Sequence, residues 1–532
     1  MVTYGRRGAR ARTRAAVAFL AAAFLTGSTP AIAQAPSAAP ALTARWQSSW
    51  YFTQAYTLIE GSFTVSGSGQ QTVVVHLDGA RFMSLPSGCS GSSTVNSRSK
   101  ISAGVDTLDC WLRPSQQASR TISFNGLVVA QPGAVVRGTV QVKGGPSAEL
   151  PARMATRGTP PPATSLRLLS SPDFLNADVA DLAKGPSFWK PSGTENSIND
   201  DYRRALDTVL TDWQRLSPDA VLVAGDMIDG WWGTDLGNSG NFGPVDTPAQ
   251  QRRALGRAAD TYYPQWLQRF TRRGLDVLPA MGDHEYGDDP WPSAKRGRAR
   301  DFERQYADHL GRLPEKYAKR VSRPRGIHHD TAYALRPRPD VQLVTLNVFD
   351  ITPQRQRMQV DPAQMRWLRN VLAKAERDGV RWIIVQGHVP ILWPVRVRGS
   401  SGLHYDRGDK SELWQVFKKY GVDLYLAGEV HDVTTVEQDG ITQINHGGAF
   451  QYGLTNYLVL DITDEYAYLT LRDYDFERSE AADGSRLWET RPAGMPKNLG
   501  IAPDPFTIGT GVLLPDGDLT RQSGALKPWA AR

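Results

Sequence analysis

Four apolar segments in the second half of the chain each run straight into a glycine and then a carboxylate or imidazole: AVLVAGD (ending at Asp226), LDVLPAMGD (Asp283), WIIVQGH (His388) and VDLYLAGEVH (Glu429 and His431). Apolar runs of this length, closed by glycine, suit buried parallel strands that end in a ligand-bearing loop. In open sheets, polar groups just past the carboxyl ends of strands lie where ligands bind. The four runs, GDMID, GDHE, QGHVP and GEVHD, therefore predict one composite site, split along the chain and assembled by a sheet.

The chain around them has 532 residues, which predicts two or three domains. Its formal charge of +7 suggests a nucleic-acid partner until the N-terminus is examined. Arg6, Arg7, Arg10, Arg12 and Arg14 carry five of those charges with no acid among them, so the remainder is about +2 and implies no anionic partner. These arginines precede the apolar run Ala15 to Leu25 and the small-residue site Ala31-Ile32-Ala33, a pattern that predicts a signal peptide over 1–33. The run is well short of the roughly 20 apolar residues that a membrane span needs. No later segment is apolar enough either, so the expected location is secreted or extracytoplasmic. Arg6-Arg7 also admits a twin-arginine signal.

Cys89 and Cys110 are the only cysteines, and in an exported chain a lone pair most simply forms one disulfide. Closing such a loop stabilises by roughly 3 kcal/mol in the chain-entropy account. Around them, residues 44–150 are rich in Ser, Gly, Thr and Val, with strand-like alternation in Thr72 to Leu77 and Val135 to Val142, and predict an antiparallel, β-sandwich-like domain. His76 reads there as a strand residue. Gly158-Thr159-Pro160-Pro161-Pro162 marks a stiff linker within 151–164.

From 165 to 475 the pattern becomes α/β. Tyr202, Leu206, Val209, Leu210, Trp213 and Leu216 recur at helical spacing, as do Met365, Leu368, Leu372 and Ala375. Gly421 suits a helix C-terminus, and Tyr457 to Ile462 with Tyr466 to Leu471 suggest paired strands. Residues 476–532 are set apart as a C-terminal extension.

The order of the polar runs is more specific than any one of them. GD-x-x-D, then GDHE, then GH, then G-x-x-H resembles the calcineurin-like metallophosphoesterases, whose usual series is D-x-H, GD-x-x-D/N, GNH-D/E, GH and GH-x-H. The resemblance covers roughly Ser165 to Leu471, and Gly447-Gly448 after the last site also fits it. It implies a layered α/β/β/α sandwich and two metal ions, divalent or iron-type (Mn, Fe, Zn or Mg). The implied activity is hydrolysis of a small-molecule phosphoester by metal-bound water or hydroxide. By this resemblance Asp226 bridges the metals, Asp173 and His431 hold the first, and Asp283, His388 and Glu429 hold the second. His284 acts on the phosphoryl group, and Asp229 orients His284.

Three positions depart from the family series: Leu175 replaces the histidine of D-x-H, Asp283 the asparagine of GNH, and Glu429 the first histidine of GH-x-H. The shell then holds four carboxylates and two imidazoles, and oxygen donors favour hard ions such as Mn²⁺, Fe or Mg²⁺, with Zn²⁺ still admissible. Asn176 or Asp178 stand as substitutes for the ligand lost at Leu175. The departures also keep a second reading open, a catalytically degenerate binding or cell-surface module. His328, His329, His404 and His446 read as loop residues or as supports outside the ligand set. Trp231, Trp232, Tyr286, Trp291, Trp393 and Tyr405 read either as loop packing or as a surface for an organic group, and Arg396, Arg398 and Arg407 as phosphate clamps or solvated cations.

Overall fold

Strand periodicity organises the N-terminal part. In Val135–Val142 every second residue is buried, and Val136, Val140 and Val142 face a core shared with Val73, Val75 and Leu108. A computed structural model describes residues 41–51, 57–67, 69–82, 86, 88–92, 106–114, 118–128, 135–154, 166–173, 200–228, 242–397, 400–448, 455–474, 476–478 and 499–528. The expected signal peptide, the Pro160 to Pro162 run, Leu175, Asn176, Asp178, Asp229, Trp231, Trp232 and Arg398 lie outside the described residues.

Two antiparallel sheets form the N-terminal region. One has five strands, in the order Cys89–Ser92, Thr107–Leu112, Gln71–Asp78, Val135–Val142 and Ser147–Met154. The other has four, in the order Leu42–Tyr51, Thr57–Ser66, Ser119–Val128 and Arg81–Phe82. Phe63, Val65, Phe82 and Phe124 from the second sheet pack into the same core as the valines of the first. Cys89 and Cys110 lie opposite each other on neighbouring strands and are disulfide-bonded. Residues 151–154, assigned to the linker from sequence, complete the Ser147–Met154 strand.

Past residue 165 two larger sheets pack face to face. The first runs Val277–Pro279, Ala220–Val223, Leu166–Ser170, Tyr457–Ile462, Ala467–Asp473, Phe506–Leu513 and Leu519–Gly524. Its first three strands are parallel, and the remainder join antiparallel. Residues 506–524, set apart from sequence as an extension, are thus part of this sheet. The second sheet runs Tyr333–Arg338, Val341–Thr345, Trp382–Gln386, Leu424–Ala427, Ile441–Asn445 and Thr434–Gln438, with four parallel strands at its centre.

Alternation along these strands generates the layers. Ala220 and Leu222, with Trp382 and Ile384, enter a core made almost wholly of strand residues from both sheets. Val221, Val223, Ile383 and Val385 point the other way, into a core shared with the helices. Asp200–Leu216 buries the expected stripe of Tyr202, Leu206, Val209, Leu210 and Trp213, and Pro362–Arg377 buries Met365, Leu368, Leu372 and Ala375. Asp361 caps the latter by accepting from the amides of Ala363 and Gln364, with Pro362 at the first helical position. Gly421 closes Glu412–Tyr420 in a left-handed conformation (φ 62°), as its position suggests. The result is an α/β/β/α sandwich. Among the described residues no helix is long and apolar enough to cross a membrane.

One buried carboxyl makes this fold pH-sensitive away from any ligand site. Asp423 opens the strand Leu424–Ala427, is buried, and accepts from the Ile383 amide at 2.7 Å. Burial pushes its carboxyl up to about 7, with the nearby charge of Asp516 adding to the effect. A raised folded-state value favours the neutral form, so this contribution is present below the ordinary carboxylate range and is lost as pH rises through about 7. Asp423→Asn keeps an acceptor for Ile383 but cannot ionise. Denaturant unfolding should show the variant roughly 4 kcal/mol more stable than wild type at pH 8, at about 1.4 kcal/mol for each of roughly 3 pKa units, and the gap should close near pH 4. A pH-independent difference would rule out this assignment.

Candidate metal centre

Each expected ligand sits two to four residues past the end of a strand. Asp173 follows Leu166–Ser170, Asp226 follows Ala220–Val223, and Asp283 follows Val277–Pro279. His388 follows Trp382–Gln386, while Glu429 and His431 follow Leu424–Ala427. The turns are tight enough to force unusual backbone: Asp173 (φ 49°), Asp226 (59°), Glu429 (68°) and His431 (48°) are all left-handed without being glycine. Such conformations carry strain that the surrounding structure must hold, and here they gather at one place. The motif glycines permit close approach. A Cβ on Gly282 would fall on Asp226 Oδ1, and one on Gly428 would fall on Asp173 Oδ2.

Among the described residues Asp283, His284 and Asp288 form one group of donor atoms within 4.8 Å, the expected ligand Glu429 belongs to none, and the other two groups are Asp173, Asp226 and His431, and Asp226, Asp283 and His388. Asp226 belongs to both of these two. His388 Nδ1 lies 2.7 Å from the Ala224 carbonyl, which can only accept, so Nδ1 carries the proton and Nε2 is left as the donor to a cation. Nε2 faces Asp283 Oδ1 at 2.8 Å, Asp226 Oδ1 at 3.3 Å and Glu429 Oε2 at 3.4 Å. His431 Nε2 is 3.5 Å from Asp173 Oδ1. Asp173 Oδ2 is buried with no hydrogen-bond partner among the described residues. All six side chains are at most 3% exposed.

Four buried carboxylates so close together cannot all remain ionised without compensating charge. Burial, aided by the charge of Asp283, pushes Asp226 well above the usual carboxylate range and Glu429 up to about 7. Burial acts on Asp283 in the same direction, but the neighbouring His284 and His388 outweigh it and hold that carboxyl below its ordinary value. His388 is raised because Asp226 and the hydrogen-bonded carboxylates favour the imidazolium despite burial. Cations would supply the compensating charge that these carboxylates need, and the oxygen-rich donor set suits hard divalent ions.

A cavity of about 260 Å³ opens onto these groups, with Asp226, Asp283, His284, Glu429 and His431 at its floor. Among the described residues Asp288, Asp289, Ser400 and Ser401 also line it, and none of the described lining residues is a lysine or arginine. Arg396 and Arg407, entertained as phosphate clamps, do not line it. His284 stands apart from the two donor groups that contain Asp226, with Nε2 3.7 Å from Asp226 Oδ2, 3.8 Å from Asp288 Oδ1 and 4.0 Å from Asp283 Oδ2.

Sequence reasoning missed two contributors. Glu285, in the GDHE run itself, accepts from the amides of Gly282 (2.7 Å), Asp226 (3.0 Å) and Met227 (2.8 Å), tying two ligand loops together through one carboxylate. Its acidity beside the site was visible; its inward direction was not. Ser401 donates to Glu429 from a loop that carries no motif. The described aromatic residues divide between loop packing and exposure. Tyr286, Trp291 and Tyr405 are buried, whereas Trp393 is 58% exposed and stacks on His404 at 4.2 Å. His328 belongs to a buried network with Asn347, and His329 pairs with Asp330. His446 Nε2 donates to the Ser170 carbonyl at the strand end preceding Asp173.

Residues 180–433 match the calcineurin-like phosphoesterase family. No curated protein matches the sequence. Among solved structures, GAP50, the anchor in the inner membrane complex of Plasmodium, aligns at 12% identity and a TM-score of 0.30, covering 59% of this chain and 85% of its own. Vacuolar protein sorting 29 from Cryptosporidium parvum aligns at 10% identity and a TM-score of 0.21, covering 65% of this chain and all of its own. The family match lies across the ordered motif series, so residues 180–433 are a calcineurin-like phosphoesterase region, with a divergent set of motifs.

Proposed function

We propose that this protein is an exported hydrolase that cleaves phosphoester bonds at a dinuclear metal centre. The observation that supports this reading most directly is the position of Asp226, shared by two donor groups. Asp173 and His431 would hold one ion with it, and Asp283, His388 and Glu429 the other. When bound, such a pair supplies Lewis-acid neutralisation of phosphoryl charge and a water activated for in-line attack. The chain's own residues do the rest. His388 Nδ1 is tied to the Ala224 carbonyl, so Nε2 is the nitrogen that would face a cation. Among the described residues no lysine or arginine lines the cavity, so from these residues His284, together with the ions, would supply the compensating charge for a phosphate among carboxylates. His284, on the cavity wall and outside the two groups that contain Asp226, is placed to meet the phosphoryl or leaving oxygen. Export is supported by the N-terminal pattern of residues 1–33 and by the disulfide, which persists in oxidising compartments.

Stripped protein reloaded with Mn²⁺, Fe²⁺, Zn²⁺ or Mg²⁺, then assayed on phosphomonoesters, phosphodiesters and nucleotides, tests the proposal. Two ions per chain and turnover of at least one ester class are expected. Fewer than two ions together with no turnover would leave the degenerate binding module as the correct reading.

A further inference from the structure

Glu429 stands where the family series has a histidine, and the structure surrounds it with donors that suit only a carboxylate. Its Oε1 accepts from Ser401 Oγ at 2.8 Å and from the Leu403 amide at 3.0 Å. Its Oε2 points inward, 3.4 Å from His388 Nε2. The backbone is held as well, since the Glu429 amide donates to Asp173 Oδ1 at 3.2 Å. A glutamate has three side-chain torsions and two equivalent oxygens, so an unrestrained one can turn away from a cation or grasp it with both oxygens. Two donors on Oε1 remove that freedom. A hydroxyl and an amide N–H would both find an acceptor on a carboxylate, whereas an imidazole has at most one nitrogen free to accept. The donors and the substitution therefore belong together.

We infer that Ser401 is a positioning residue of the metal centre: with the Leu403 amide it clamps one oxygen of Glu429 and reserves the other for a cation. The inference rests on the dinuclear reading above. Ser401 is itself exposed, so the clamp closes on a buried ligand from the solvent side. Ser401 and Asp289, which follows His284 in the chain, both line the cavity. Neither residue belongs to the motif series. Supports of this kind, one bond beyond the ligand, commonly change metal affinity by about 10–100-fold when removed.

The test is Mn²⁺ titration of the stripped full-length chain by calorimetry, comparing wild type, Ser401→Ala, Ser401→Thr and Glu429→Ala. Ser401→Ala should leave one site unchanged and weaken the other about tenfold or more, Ser401→Thr should restore it, and Glu429→Ala should lose that same site. Ser401→Ala with wild-type affinity at both sites would overturn the inference while a lost site in Glu429→Ala preserved the dinuclear reading. Equal weakening of both sites, or a threonine variant as weak as the alanine, would also overturn it by pointing to loop packing. If Glu429→Ala retained both ions, Glu429 would not be a ligand, and that part of the dinuclear reading would fall together with the clamp.

Discussion

Asp226→Asn should abolish phosphoester hydrolysis and lower the bound metal below two ions per chain, while leaving the fold intact. The expectation follows from geometry, because Asp226 is common to the donor group of Asp173 and His431 and to that of Asp283 and His388. Asparagine is nearly the same size, and its oxygen can still accept from the His284 amide, which now reaches Asp226 Oδ1 at 3.3 Å. The backbone amide of residue 226 would still donate to Glu285. What is lost is the negative charge that lets two cations sit side by side. Removing several kcal/mol of transition-state charge stabilisation corresponds to a rate loss of about 10³-fold or more. Circular dichroism checks the fold, elemental analysis the metal and ester turnover the chemistry. Near-normal turnover in the variant would end the dinuclear reading.

The ligands were legible because they obey a local rule: an apolar strand, a glycine and then a polar residue. Asp226, Asp283, His388, Glu429 and His431 all satisfy it, and the parallel pairing of their strands brings the loops to one edge of the sandwich. Asp173 follows the same logic after Leu166–Ser170, although the residues beyond it carry little of the family pattern. The supports obey no such rule. Ser401 meets Glu429 across 28 residues of chain and Glu285 meets Met227 across 58, distances over which only the folded loop path decides the contact. Composition left Tyr286, Trp291 and Tyr405 open between loop packing and a binding surface, and packing is what the structure has. An aromatic residue in a long loop is as easily turned inward, and these three are buried against the sheet and its neighbours. The C-terminal strands were missed because residues 479–498 separate them from the rest of the sheet in sequence, while Phe506–Leu513 pairs directly with Ala467–Asp473.

His284→Ala should cost about 10²–10⁴-fold in turnover, the range for groups that transfer or stabilise a proton, with two ions still bound. The prediction separates chemistry from metal holding within a single motif, since His284 is adjacent to the expected ligand Asp283. Its ring lies at the cavity wall, and its Nε2 comes no closer than 3.7 Å to the carboxylates around it. His388 shows the contrast, with Nε2 at 2.8 Å from Asp283 and its other nitrogen tied to a carbonyl. A ring that lines the cavity is placed to meet a substrate there. Geometry offers one competing role, because Asp283, His284 and Asp288 also gather within 4.8 Å. Elemental analysis decides between them. Loss of an ion in His284→Ala would make the ring a ligand, whereas slow turnover with full metal content would assign it to the phosphoryl group. A selective rate loss for esters with poor leaving groups would narrow the role further, since a general acid matters most when the departing oxygen needs a proton.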